Sequence, residues 1–174
     1  MPYNQGGKGM AMKKVPITRQ GYRDLMKELS RLKREDRIQA MKAIEEARSH
    51  GDLTENAEYD AAKEKQAFIE RKIYDIESRL THSEIIETKN LSTDRVVFGS
   101  VVFLENLDTG ERVQYQLVGP DESDVKQGKI SSNSPVGRAL IGKKVNDEVS
   151  VQAPGGMRNF QVVRIASGSG ESDS

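Results

Sequence analysis

Apolar residues recur three and four apart through the first half of the chain, then alternate with polar ones in the second. The first pattern predicts helices and the second predicts strands. Residues 18 to 49 read as one helix. Thr18 is a fair N-cap, and Leu25, Leu29 and Leu32 keep the spacing of a coiled-coil seam. The seam then weakens, because Asp36 and Gln39 fall where apolar residues would continue. Ala40, Ala43, Ile44 and Ala47 carry the apolar face on to Gly51, which stops the helix. Residues 53 to 83 read as a second helix, with Ile69, Ile73, Ile76 and Leu80 on its seam and Ala57, Ala61 and Ala62 in its first turns. Folded back on each other, the helices pair leucines with isoleucines at the base and alanines with alanines at the far end. Small residues let helices approach closely, so that end should be thin. About 30 helical residues make an arm on the order of 45 Å long, which must project from a small protein.

From about Glu84 the period changes. Residues 96 to 105 and 112 to 118 are β-rich runs separated by the turn sequence NLDTG, and residues 148 to 153 and 157 to 165 flank a PGG turn. Between these pairs lies a short helix, with Ser134 as its cap, Pro135 in its first turn and Gly142 after its end. The fold expected is α+β: an antiparallel helical hairpin over residues 15 to 84, then an antiparallel sheet domain with one short helix over residues 85 to 166. Residues 1 to 14 are expected to be a disordered extension, with Met10 or Met12 as alternative starts. Residues 167 to 174 are expected to be a flexible polar tail.

Composition narrows the chemistry. The chain of 174 residues has no cysteine, which excludes disulfides, thiolate zinc sites and cysteine nucleophiles. Its two histidines, His50 and His82, leave little material for a zinc site or for histidine acid–base catalysis. No apolar run spans a bilayer and no secretory signal opens the chain, so a cytoplasmic location without membrane contact is expected. Net charge is zero, with 27 basic and 27 acidic side chains. Their distribution says more. A basic stem (Arg23, Lys27, Arg31, Lys33, Arg34, Arg37, Lys42) runs into an acidic stretch where Arg48 stands alone among Glu45, Glu46, Asp52, Glu55, Glu58 and Asp60.

Asp52 and Glu55 sit three apart in the loop between the helices, the most remote point of the arm. An Asp N-cap with Glu at the third helical position is close to a capping box, contributing about 1 kcal/mol. On spacing alone, capping takes precedence. The other reading is a metal site shared with a partner. Mg²⁺ takes six oxygens and commonly only one or two carboxylates. Two carboxylates on a solvated tip do not hold such an ion alone, but they can complete the shell of one held in a recessed active site and orient its water. The basic stem reads first as a solvated helix face. Arg48 and Lys63 are better candidates for nucleic-acid contact, because they lie on opposite helices within a few turns of the tip. His50 reads as a solvated loop residue, and Gly155 and Gly156 as hairpin residues. The corner from Ser131 to Pro135 is a rigid, exposed docking candidate. The second domain shows no nucleophile, phosphate loop or metal cluster.

The sequence resembles the bacterial Gre transcript-cleavage factors, of GreA type. The residues that carry the resemblance are ARSHGDLTENAEYDAAKE (47 to 64), VFG (97 to 99), SSNSPVGRALIGK (131 to 143) and APGG (153 to 156). Their order and spacing agree over roughly residues 15 to 166. The resemblance implies a coiled-coil arm, an FKBP-like second domain without prolyl isomerase activity, and binding to the bacterial RNA polymerase elongation complex. The arm would enter the secondary channel and stimulate the polymerase's own cleavage of the 3′ end of backtracked RNA. It would act as an accessory factor and not as an enzyme. The catalytic carboxylates fall on Asp52 and Glu55, sharing Mg²⁺ with the polymerase, while the free factor, a monomer, binds no cofactor and no small-molecule substrate. The RNA-contact residues fall on Arg48 and Lys63, and the docking corner on Asn133, Ser134 and Pro135. The resemblance reverses the preference for capping at Asp52 and Glu55. The small basic patch points to short cleavage products. A Gre-fold inhibitor of the polymerase is the alternative; a coiled-coil holdase competes only without the resemblance, and its tip would be more apolar than this one.

Overall fold

The computed structural model describes residues 14 to 52 and 56 to 168. The first 13 residues, the last six of the expected tail, and Leu53, Thr54 and Glu55 lie outside the described residues.

Strand β1 (Val15–Thr18) leads into helix α1 (Arg19–Arg31), a π-helical turn (Leu32–Asp36) and helix α2 (Arg37–Ser49). Helix α3 (Ala57–Thr81) returns antiparallel and ends in strand β2 (Ser83–Ile86). The Thr18 hydroxyl accepts from the Gly21 amide and caps α1. The seam forms as the spacing predicts: Leu25, Leu32, Ile69, Ile73 and Ile76 are buried together, with Leu29 and Leu80 partly buried against them. At the far end Ala40, Ile44, Ala47 and Ala62 are buried, whereas Ala57 and Ala61 are exposed. The alanine layer is therefore narrower than expected.

The weak stretch of the seam has a structural cause. Buried positions step by seven from Leu25 to Leu32 and again from Ala40 to Ala47, but Leu32 and Ala40 are eight apart. The backbone absorbs the extra residue in the π-helical turn, where the Arg37 amide bonds the carbonyl of Leu32, five residues back. Such a single wide turn re-phases the helix face without ending the helix. On the flank of this region Arg37 donates two hydrogen bonds to Glu70, at 2.7 and 2.9 Å. The guanidinium holds the Glu70 carboxyl below the usual carboxylate range.

The second domain is a five-stranded sheet in the order β5-β4-β3-β7-β6. Its strands are β3 (Val101–Asn106), β4 (Arg112–Val118), β5 (Lys129–Ser131), β6 (Glu148–Ala153) and β7 (Gly156–Ala166). Alternate residues of β3, β6 and β7, among them Val102, Leu104, Val149, Val151, Phe160 and Val162, face the core. Leu140 of the short helix α4 (Pro135–Leu140) covers it. The sheet departs from the expected antiparallel arrangement at one pair, where β5 joins β4 in parallel. The first two residues of the expected tail pack on the sheet domain. The Ser167 hydroxyl donates to the Thr88 carbonyl and accepts from the Leu91 amide, and Gly168 is buried.

A parallel pair, β1 with β2, closes the base of the arm and was not anticipated. The base meets the sheet domain through Glu122. Its carboxylate accepts from the Thr18 amide at 2.7 Å and the Thr18 hydroxyl at 2.5 Å. Arg79 of α3 lies 3.6 Å from Asp121 beside it. Burial pushes the Glu122 carboxyl above its ordinary 4.5, and the Thr18 bonds oppose that rise only in part. The sign follows by linkage: a carboxyl raised on folding binds its proton more tightly in the folded state, so stability falls as pH rises from 4.5 through the folded value. Glu122→Gln has no such charge to bury. Its stability relative to wild type should therefore increase with pH across that window, measured by denaturant unfolding at a series of pH values. A constant difference would contradict this. No helix among the described residues is long and apolar enough to cross a membrane.

Candidate functional site

The tip of the arm is built from the last turn of α2 and the first turns of α3. His50 closes α2, and Gly51 reverses the chain with φ of 111°, a left-handed conformation that suits glycine. Asp52 is exposed immediately beyond. Helix α3 begins four residues later than the sequence suggests, and its cap is neither Asp52 nor Glu55. The Asn56 side chain accepts from the Tyr59 amide at 3.1 Å and donates to the Ala47 carbonyl at 2.7 Å. One side chain thus satisfies an orphan donor of α3 and adds a second hydrogen bond to a last-turn carbonyl of α2 that also accepts from the His50 amide. The cost of Asn56→Ala should be about 1 kcal/mol or slightly more, seen as a lower midpoint in denaturant unfolding. No change would mean that another group caps α3.

His50 is not merely solvated: its Nδ1 lies 2.9 Å from Glu58 Oε2. His50, Asp52, Asn56, Ala57 and Glu58 line an open recess of about 460 Å³ at the tip. One turn inward, Arg48 of α2 and Lys63 of α3 converge on Tyr59. The guanidinium carbon lies 5.9 Å and the lysine nitrogen 5.5 Å from the ring centroid. Hydrogen bonding to Arg48, assisted by the charge of Lys63, holds the Tyr59 phenol below its ordinary value. The two cations singled out by position do come together, and the aromatic residue joining them was missed. Its signal was present, since Tyr59 stands four residues before Lys63 on one helix face.

The docking candidate in the sheet domain is a tight corner. The Ser134 hydroxyl donates to the Ser131 carbonyl at 2.6 Å and accepts from the Gly137 amide at 3.1 Å. The Asn133 amide donates to the Ser131 hydroxyl, and Asn133 and Pro135 are exposed. Gly137 is required for this closure, since a Cβ there would stand 2.2 Å from the Ser131 carbonyl oxygen.

Two family models cover nearly all of these elements. "Transcription elongation factor, N-terminal" matches residues 15–85, and "Transcription elongation factor, GreA/GreB, C-term" matches residues 91–167. The chain belongs to the GreA/GreB family of transcription elongation factors. Within it, the chain is 53% identical over 154 residues to transcription elongation factor GreA of Syntrophus aciditrophicus, covering 88% of this chain and 96% of that one. It is 51% identical to the GreA of Syntrophobacter fumaroxidans, covering 88% and 99%. Among solved structures, the GreA factor homolog 1 (Gfh1) of Thermus thermophilus is 37% identical, covering 88% of this chain and 99% of that chain, with a TM-score of 0.41. The N-terminal family domain thus spans α1 through α3, with Asp52 and the Arg48–Tyr59–Lys63 group at the far end of the helical hairpin. The Asn133–Pro135 corner belongs to the C-terminal family domain.

Among the described residues, no group of three His, Asp or Glu stands close enough to hold a metal ion. The donor chemistry at Asp52 nevertheless suits a hard cation such as Mg²⁺, which prefers carboxylate oxygens and water.

Proposed function

We propose that this elongation factor binds bacterial RNA polymerase, inserts its helical arm into the secondary channel and stimulates the polymerase's own cleavage of the 3′ end of backtracked RNA. The observation that carries this reading is the composition of the arm's far end. There an exposed carboxylate, Asp52, sits at the tip, and one turn inward two cations converge from opposite helices. An arm of two helices is slender enough to reach a recessed centre that a compact domain cannot enter.

Asp52 and Glu55 would share Mg²⁺ with the polymerase, which supplies the remaining ligands. Bound there, the ion would supply Lewis acidity toward a water and the scissile phosphate. Asp52 and Glu55 would help hold it and orient that water. Arg48 and Lys63 hold the RNA phosphates, which the acidic tip would otherwise repel. The corner at Asn133, Ser134 and Pro135 docks on the polymerase outside the channel and sets the depth of insertion. The chain has no need of its own catalytic pocket, and it acts in trans.

The test is a halted, backtracked elongation complex with Mg²⁺, with and without the factor. Rapid release of short 3′ fragments only with the factor supports the reading. Slow cleavage at the same rate in both, with the factor still bound, points to a Gre-fold inhibitor.

A further inference from the structure

We propose that Tyr59 is a positioning residue that gathers Arg48 and Lys63 into one two-pronged site for a phosphodiester of the RNA 3′ segment. The inference rests on the proposed function and deepens it.

Arg48 and Lys63 carry like charges and come from different helices. Both side chains are exposed, long and flexible. Left alone they would separate, through mutual repulsion and rotamer entropy. Instead both heads lie within 6 Å of one ring centroid, at 5.9 and 5.5 Å. An aromatic face attracts each cation through its quadrupole and does not neutralise either. A carboxylate at this position would hold the cations as well, but it would cancel the charge that a phosphate must meet. Elsewhere on the arm cations are held in that neutralising way: Arg37 by Glu70, Lys33 by Glu77 and Arg79 by Asp75. Among the described residues, the tip thus holds its two cations close together on an aromatic ring and not on a carboxylate.

The placement of Tyr59 strengthens the argument. It is the third residue of α3, and its amide is locked to the Asn56 cap. Its backbone is fixed by the same bonds that tie the two helices together at the tip. The ring is half-buried, unlike the exposed side chains of its neighbours Glu58 and Asp60. The phenol is held below its ordinary value by Arg48 and Lys63, the effect expected of two cations close to the ring. An anion is the fitting ligand because the surrounding exposed residues, Glu45, Glu46, Asp52, Glu58 and Asp60, would exclude phosphate everywhere else at this end. The ligand class is a phosphodiester: an extended chain that must run past the cations to place its next linkage at the carboxylates.

The experiment compares wild type, Tyr59→Leu, Tyr59→Phe, Arg48→Gln/Lys63→Gln, and that double variant with Tyr59→Leu added. Each is titrated against a backtracked elongation complex, and maximal cleavage rate is separated from the factor concentration giving half that rate. Tyr59→Leu retains the backbone amide and hence the cap. It should lower the maximal rate about tenfold, the combined loss expected for two exposed cation–aromatic contacts, with little change in half-saturation. Tyr59→Phe keeps the ring and should recover most of the rate. In the Arg48→Gln/Lys63→Gln background, Tyr59→Leu should add almost nothing, because residues acting through one another are not additive. Tyr59→Leu cleaving like wild type, or losing the same factor in both backgrounds, overturns the inference. Wild type failing to stimulate cleavage overturns the proposed function itself, a separate result.

Discussion

Replacing Asp52 by Asn and Glu55 by Gln together should abolish factor-dependent cleavage while leaving the protein folded and able to dock. The substitutions preserve size and remove only the anionic oxygens. Removing groups that organise charge in a reaction centre commonly costs about 10² to 10³ in rate, and two at once should bring cleavage to the level without factor. Folding should be spared for a specific reason. Had Asp52 been the cap of α3, its loss would have frayed the arm, but Asn56 supplies that cap and also bridges to α2. Docking should be spared because the proposed corner lies in the other domain, at Asn133, Ser134 and Pro135. The checks are a cleavage assay, a thermal melt, and competition with wild type for the elongation complex. Normal cleavage by the double variant would remove the carboxylates from the mechanism. Loss of docking or of the melt would make the tip structural.

The largest stability effect is expected at Gly119, which lies at the junction of arm and sheet. A Cβ there would stand 2.0 Å from the Pro16 carbonyl oxygen, 3.1 Å from its carbon and 3.4 Å from Ile17 Cα. All three are backbone atoms, so no side chain can swing aside. Ile17 is 1% exposed and belongs to the core at the base of the arm, so β1 does not yield without opening that core. Gly119→Ala should cost about 3 kcal/mol, at the upper end of overpacking. For a chain of this size that lowers the melting temperature by about 6 to 12 °C. Moving β1 also pulls Thr18 from Glu122, so the arm changes its angle to the sheet. Cleavage stimulation should fall even though every tip residue is intact. Gly155→Ala is the control, since its Cβ would meet nothing within 4 Å. Equal stability of the two variants would show that the junction is loose.

Much of this architecture was legible in local pattern. Leu25, Leu29, Leu32, Ile69, Ile73, Ile76 and Leu80 announced the seam because a helix repeats its face at short range. Ser134, Pro135 and Gly142 bounded α4 because caps and stops act within one turn. Asp52 was placed at the end of the arm, and the capping role that its spacing alone favoured, before the resemblance reversed that preference, falls to Asn56. Two capping sequences overlap here, and DLTE competes with the neighbouring Asn56. Asn56 prevails because its amide also reaches the Ala47 carbonyl, a partner nine residues back that no local rule considers. The π-helical turn was visible only as a fault in the seam.

The sequence by itself determined the two kinds of periodicity, and hence the hairpin followed by the sheet domain. It also placed the acidic turn and its neighbouring cations, and it carried the family resemblance that the relatives establish. These depend on spacings of a few residues, over which backbone geometry is nearly constant. Only the tertiary structure decided how distant segments meet. It paired β1 with β2 across the whole arm, seated Thr18 on Glu122, set β5 parallel to β4, and brought Arg48 of one helix to Tyr59 of the other. Each of these contacts joins residues whose separation along the chain carries no period. They form only when burial of the shared cores brings the segments together.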